Sequence, residues 1–215
     1  MQELKSDVAA QKQRLRKTAQ EHRAQLRRDP DRKAALDHAC VENILAYIEH
    51  LGAAGRPITA YAPLPSEPGP ADLASRLAAA GHPVWLPISL PDGVLAWARA
   101  DAGTRPGALG IAEPAGPRFN SNVLRSCALV IAPALAVDAS GMRLGKGAGY
   151  YDRALAGLHV PVAALIYDGE LTAAVPHSPH DMPVNAVITP SGFREFAPDG
   201  TGDARHTSNT NGDIH

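Results

Sequence analysis

The sequence predicts an α/β domain with helices on both faces of a mostly parallel sheet. Three observations carry this. The runs Ala128–Ala132, Pro161–Ile166 and Ala186–Thr189 have strand length and are apolar almost throughout, as strands buried on both faces are. Helical periodicity alternates with them along the chain. Glycine and proline, 19 of each among 215 residues, punctuate the chain into short elements.

Gln2–Arg28 reads as the first helix, with Leu4, Val8, Leu15, Ala19 and Leu26 near one face and no Gly or Pro until Pro30. Asp31–Leu51 is the second, striped by Leu36, Cys40, Ile44, Leu45 and Ile48, with Gly52 placed to close it. Pro57–Ala62 reads as a strand, Pro70–Ala80 as a helix stopped by Gly81, and Pro83–Leu86 and Val94–Ala98 as short strands. After the buried run Ala128–Ala132, a helix is expected over Tyr150–Leu158, followed by the strands Pro161–Ile166 and Ala186–Thr189. The expected organisation is one domain over 1–197. From Pro198 the chain is Gly, Asp, Thr, Asn and His, too polar to bury itself, so 198–215 is expected to be a disordered tail.

A composition of 45% hydrophobic and 20% charged residues excludes collagen-like, coiled-coil and wholly disordered chains. The longest apolar run, Ala128–Val137, is broken by Pro133 and is far short of the roughly 18–20 residues that cross a bilayer. The charged N-terminus has no apolar core of a signal peptide. Cys40 and Cys127 form neither a disulfide framework nor a zinc motif and read as two buried thiols; the expected compartment is the cytoplasm. Residues 1–34 carry a net charge of +5 and the remainder −6. A basic segment of that kind suits nucleic acid, a membrane surface or a phosphorylated small molecule. The lack of interleaved aromatic residues weakens the first.

The chemistry concentrates in Val137–Arg153, VDASGMRLGKGAGYYDR. Gly145, Gly147 and Gly149 form G-x-G-x-G between a buried strand and a helix, where open α/β sheets bind ligands. Glycines let backbone N–H groups approach a phosphate, and Arg143 and Lys146 add positive charge. The spacing fits neither a Walker A loop nor a Rossmann fingerprint, and an ordinary glycine-rich turn is the alternative. Asp152, in the first turn of the next helix, is either a carboxylate favoured by the helix dipole or a Mg²⁺ ligand beside phosphate. Lys12 and Arg16 share one helix face, solvated or ligand-directed. Glu67, after the first strand, is a plain loop acid or an acceptor for amide or amine donors, and Asp181 alone is a loop acid.

Taken together, these segments resemble the 5-formyltetrahydrofolate cyclo-ligase family, also called 5,10-methenyltetrahydrofolate synthetase. The matching segments are Arg143-Leu144-Gly145-Lys146-Gly147-Ala148-Gly149-Tyr150-Tyr151-Asp152, Lys12-Gln13-Arg14-Leu15-Arg16, Tyr61-Ala62-Pro63-Leu64-Pro65-Ser66-Glu67, Gly110-Ile111-Ala112-Glu113-Pro114 and His180-Asp181, in family order from about residue 5 to 195. The resemblance implies a three-layer α/β/α Rossmann-like fold shared with sugar-phosphate isomerases and CoA transferases. It implies an ATP- and Mg²⁺-dependent ligase that converts 5-formyltetrahydrofolate to 5,10-methenyltetrahydrofolate, ADP and phosphate. It places ATP on Lys12, Gln13, Arg14, Leu15, Arg16 and on Arg143 through Tyr151: Leu144, Gly145, Lys146, Gly147, Ala148, Gly149 and Tyr150 between them. It places the folate on Ala62, Glu67, Lys146, Gly147, Ala148, Gly149 and Tyr150, and Mg²⁺ on Asp152 and Asp181, with Arg143, Lys146 and Asp152 catalytic. The expected partners are small molecules only, with no nucleic acid or membrane and the chain a monomer. The rivals are a sugar-phosphate isomerase or CoA-transferase-like enzyme, which needs no ATP, and a non-catalytic ligand-binding module.

Overall fold

In a computed structural model, which describes residues 2–107, 112–197 and 206–207, the apolar runs become the middle of a sheet. β1 (Ile58–Thr59), β2 (Val84–Ser89), β6 (Leu129–Pro133), β9 (Val162–Leu165) and β11 (Ala186–Thr189) are parallel neighbours. β3 (Leu95–Arg99) and β12 (Gly192–Glu195) pair antiparallel at the two sides, and β13 (His206–Thr207) extends β12. The order among the described residues is β13-β12-β11-β9-β6-β1-β2-β3. Along β6, Leu129 and Ile131 point to one core and Val130 and Ala132 to another, as the two-residue period requires.

The first core is closed by α2 (Pro30–His50) and α3 (Leu73–Ala79), through Cys40, Ile44, Ile48, Leu73 and Leu77. The second is closed by α4 (Tyr150–Leu155) and the 3₁₀ turn Ser121–Ser126. The fold is thus the expected α/β/α sandwich. Local chemistry sets the boundaries of α2: Asp29 accepts the Arg32 N–H at 3.1 Å, Pro30 takes the first helical position, and Gly52 follows the end at φ 61°. In β2, Pro87 pairs with Trp97 of β3. Its missing N–H costs no ladder bond on the other side, because β1 runs alongside only Val84 and Trp85.

Some expectations shift. The Pro57–Ala62 strand contracts to two residues between its prolines, the 70–80 helix starts only at Leu73, and α4 stops at Leu155. The glycine loop does not follow the buried strand directly. A hairpin of β7 (Ala136–Asp138) and β8 (Arg143–Leu144) intervenes, in a small sheet with β10 (Leu171–Thr172). β4 (Thr104–Pro106) and β5 (Ala112–Pro114) form another hairpin that periodicity does not announce. Gly110 and Ile111 lie outside the described residues, as does the expected tail apart from His206–Thr207.

Helix α1 (Gln2–Leu26) buries few side chains against the rest: Ala19, Leu26 and Arg23. Arg23 donates to Glu170 through Nε at 2.5 Å and Nη2 at 2.7 Å, and to the Ala134 carbonyl at 2.6 Å. Burial alone pulls the Arg23 pKa down, but the Glu170 contacts outweigh it and the net direction is up. Glu170 also accepts the Tyr167 N–H at 3.0 Å.

A Cβ on Gly52 meets nothing within 4 Å. Gly52→Ala therefore costs only left-handed backbone strain, about 1 kcal/mol. A thermal melt should show a fall of about 2–4 °C; an unchanged midpoint would mean that this helix end does not hold a left-handed residue.

Candidate active site

The β7–β8 hairpin carries the glycine loop, and Asp138 builds its turn. One carboxylate oxygen accepts from the Ser140 N–H and hydroxyl at 2.9 and 2.6 Å and from the Met142 N–H at 3.1 Å; the other accepts the Val175 N–H at 2.7 Å. The loop then runs from Gly145 to Gly149, with Gly147 at φ 108° and Gly149 at φ 68°. Arginines clasp it from two sides. Arg16 of α1 donates to the Gly145 carbonyl at 3.1 Å, and Arg153 of α4 donates to the Ala148 carbonyl at 2.8 Å and to the Gly93 carbonyl of the β2–β3 turn. A Cβ on Gly147 would stand 3.3 Å from the Arg16 guanidinium, and one on Gly149 would stand 2.9 Å from that of Arg153. These glycines serve both the backbone angles and the two guanidinium contacts.

The loop forms one wall of a cleft of about 340 Å³. Three cation–carboxylate pairs line it among the described residues: Arg143–Asp152 at 2.7 Å, Lys12–Asp181 at 2.6 Å and Lys146–Glu67 at 2.6 Å. Arg143 is fixed, its side chain 2% exposed and its guanidinium 5.8 Å from the centre of the Tyr151 ring. Lys146 is 49% exposed, so it stays hydrated if it leaves Glu67, whose carboxylate keeps the Leu64 N–H. Burial pushes the Asp181 carboxyl up, but hydrogen bonds from Lys12 and from Ser178 outweigh it and hold it below the usual range. Two buried donors in the lining lack a protein partner, Arg143 Nε and the Tyr151 hydroxyl, the latter kept protonated by burial. Buried polar atoms normally have a partner, so both are available to an acceptor-rich ligand.

Glu67 enters from the loop after β1. Its carboxylate accepts the Leu64 N–H at 2.8 Å as well as Lys146. Beside it Ala62, Leu64, Leu86, Pro87, Leu95 and Pro114 give that part of the cleft an apolar lining.

Most of the residues singled out in the sequence converge here: Lys12, Arg16, Ala62, Glu67, Arg143 through Asp152, and Asp181 all line the cleft. Gln13, Arg14 and Leu15 do not. Helical rotation turns Gln13 and Arg14 to solvent, and Leu15 packs on the cluster of Ala19, Leu135 and Leu144. The hairpin and strand residues that line the opposite wall carry no chemical pattern in the sequence. Glu113, beside Arg105 and Arg118 at 3.7 Å each, is marked only by its place in the Gly-Ile-x-Glu-Pro element. The expected anion site at a helix start is modest, because α4 has only 6 residues. The positive groups that line the cleft are the side chains of Lys12, Arg16, Arg143 and Lys146. Among the described residues no group of three His, Cys, Asp or Glu side chains could hold a metal ion by itself.

The chain matches the model of the 5-formyltetrahydrofolate cyclo-ligase family over residues 8–190. It is 37% identical to the 5-formyltetrahydrofolate cyclo-ligase of Mycolicibacterium smegmatis over 157 residues, 69% of this chain and 81% of that one. The NMR structure of Aquifex aeolicus 5,10-methenyltetrahydrofolate synthetase superposes with a TM-score of 0.71 at 24% identity, covering 91% of this chain and 97% of that one. The synthetase of Mycoplasma pneumoniae gives a TM-score of 0.66 at 20% identity, covering 83% and 98%. The two structural likenesses speak to the fold.

Because the Asp181 carboxyl is held low, its pair with Lys12 stabilises fully above the ordinary aspartate value of 3.8 and is lost as the pH falls below it, through the lowered folded value. Asp181→Asn should cost about 1–2 kcal/mol at neutral pH. It should also flatten the acid limb of the stability curve below about pH 4. Denaturant melts from pH 7 to 3 check this; an acid limb as steep as in the unaltered protein would remove Asp181 from the acid transition.

Proposed function

Since the chain belongs to the 5-formyltetrahydrofolate cyclo-ligase family, we propose that this cleft is where ATP drives closure of the folate ring. The protein is a ligase acting on 5-formyltetrahydrofolate. The observation that carries the placement of its chemistry is the convergence of Lys12, Arg16, Arg143 and Lys146 on one glycine loop inside one cleft.

The N5-formyl group is a formamide and a poor electrophile. Its oxygen attacks the terminal phosphorus of ATP and ADP leaves. N10 then attacks the activated carbon, gives up its proton, and the C–O bond to phosphate breaks. The product is 5,10-methenyltetrahydrofolate with ADP and phosphate. A reaction of this kind asks the protein mainly for alignment and for positive charge around the moving phosphoryl group. In this reading Lys12 and Arg16 hold nucleotide phosphates against the loop N–H groups. Arg143, buried and immobile, and Lys146, free to swing, face the phosphoryl group in transit. Ala62 and Glu67 meet the folate, Glu67 receiving its ring donors, and Tyr150 and Tyr151 wall the junction of the two substrates.

Asp152 and Asp181 fit a Mg²⁺ ion of the kind that is shared with a nucleotide. Mg²⁺ takes one or two carboxylates and completes its shell with phosphate oxygens and water, and these two hard oxygen donors line the same cleft. When bound, the ion would neutralise phosphate charge beside the carboxylates. Asp152 and Asp181 now face Arg143 and Lys12, so binding asks each carboxylate to share itself between cation and metal. We place the reaction in the cytoplasm. The two buried free thiols, Cys40 and Cys127, support that reading, and among the described residues no helix is long and apolar enough to cross a membrane.

An absorbance assay for methenyl product from 5-formyltetrahydrofolate, run with and without Mg·ATP, tests the proposal. Product should form only with both; undiminished turnover without nucleotide would favour an isomerase-like activity. For Asp152→Asn, a turnover titration against Mg²⁺ should show a higher metal requirement and slower chemistry in a folded protein. Curves that superimpose on the parent would leave Asp152 as a structural partner of Arg143 and the Met182 N–H.

A further inference from the structure

Glu67 lies in the stretch Tyr61–Pro70, with prolines at 63, 65, 68 and 70. Proline has no N–H to donate, so this loop has few backbone donors of its own, the Glu67 N–H to the Leu64 carbonyl at 2.8 Å among them. Side chains add contacts at three successive backbone groups, Tyr167 and Asp37 from outside the stretch and Tyr61 from its start. The Glu67 carbonyl lies 3.2 Å from the Tyr167 hydroxyl. The Pro68 carbonyl accepts the Tyr61 hydroxyl at 2.7 Å, and the Gly69 N–H donates to Asp37 at 3.1 Å. Tyr167 and Asp37 are themselves joined, hydroxyl to carboxylate, at 2.8 Å.

Asp37 sits on the buried face of α2, one turn before the fully buried Cys40, and is 5% exposed. A carboxylate there is costly unless its lone pairs are used. Lys33, Tyr167 and Gly69 all donate to it. Tyr167, 2% exposed, is kept neutral by burial and then by Asp37, so it remains a donor. Neither residue lines the cleft. What they touch is the backbone that carries Glu67, whose carboxylate does line it. That carboxylate is tied to its own loop by the Leu64 N–H, so placing the loop places it, whereas Lys146 is too exposed to fix its position.

We infer that Asp37 and Tyr167 are positioning residues for Glu67: they hold the proline-rich loop so that this carboxylate is ready for the folate. The inference rests on the reading that Glu67 receives ring donors of the substrate. Its test is a set of steady-state measurements on the full chain with Glu67→Gln, Tyr167→Phe, Asp37→Asn and the double variant Tyr167→Phe with Glu67→Gln. Tyr167→Phe removes one oxygen and should raise KM for 5-formyltetrahydrofolate about three- to tenfold, the range of one hydrogen bond. KM for ATP should stay as it was, and Asp37→Asn should follow the same pattern. The double variant should be no worse for the folate than Glu67→Gln alone, because coupled residues are not additive. A merely structural role would lower the melting temperature and leave the ratio of the two KM values unchanged, and that result overturns the inference. An additive double variant overturns it too. Wild-type folate KM in Glu67→Gln is a different failure: it removes the role of Glu67, and the positioning role with it. Should Asp37→Asn fail to fold, Tyr167→Phe and its double variant decide the matter.

Discussion

The buried pair of Arg23 and Glu170 is the contact on which the cleft depends. Helix α1 contributes little apolar surface to the cores, so hydrophobic burial alone does not dock it. An arginine that is 3% exposed, bonded to Glu170 and to the Ala134 carbonyl, pins it at one point. Such a pair gains little net stability over an apolar contact, but removing one member leaves a buried charge at a cost of about 3–5 kcal/mol. That asymmetry selects one placement of the helix. At about 1.5 Å per residue, Lys12 and Arg16 lie upstream on the same rod, and the pin at Arg23 sets how far they reach. Glu170 also accepts the Tyr167 N–H, so the same carboxylate ties α1 to the residues behind Glu67.

The charge arrangement of the cleft suits the task proposed for it. Cations gathered in one cleft would repel one another without counter-charges. Here each of Lys12, Arg143 and Lys146 has a carboxylate of its own. The three carboxylates keep the cations oriented and stand where an anionic ligand competes for them. Exposure grades the exchange: Arg143 is locked and Lys146 is loose. In the reading proposed above, substrate binding is a trade of partners, and little new charge has to be desolvated.

The sandwich was legible in the sequence because its central strands are apolar almost throughout, so Leu129–Ala132 needs no partner to be recognised. The glycine loop was legible because its spacing is chemical. The β7–β8 hairpin was not. Asp138–Gly141 reads as any turn, and β8 is two residues, one of them a buried arginine. The buried charges were also hidden, though a signal exists. Arg23 falls on the stripe of Ala19 and Leu26, and Asp37 on that of Val41, Ile44 and Ile48. A charge on an apolar stripe asks for a distant partner, but no local pattern says which one. The turning of Gln13 and Arg14 to solvent and of Leu15 to an apolar cluster followed from helix rotation, which a motif written as a linear string does not convey.

The contacts that attach α1 to the cleft join the two ends of the chain. Arg16 and Gly145 are 129 residues apart, Arg23 and Glu170 are 147, and Lys12 and Asp181 are 169. The helix can form as soon as it is synthesised, but its partners leave the ribosome much later. Closing loops of that length costs entropy before any contact returns it. The sheet and its two cores can assemble first, with Arg23 still hydrated. Docking of α1 is then the step that desolvates the buried pair and brings Lys12 and Arg16 to the glycine loop. A chain interrupted before Asp181 lacks the Lys12 clasp together with β11 and β12, so α1 is fastened to this side of the cleft only late in the order of folding.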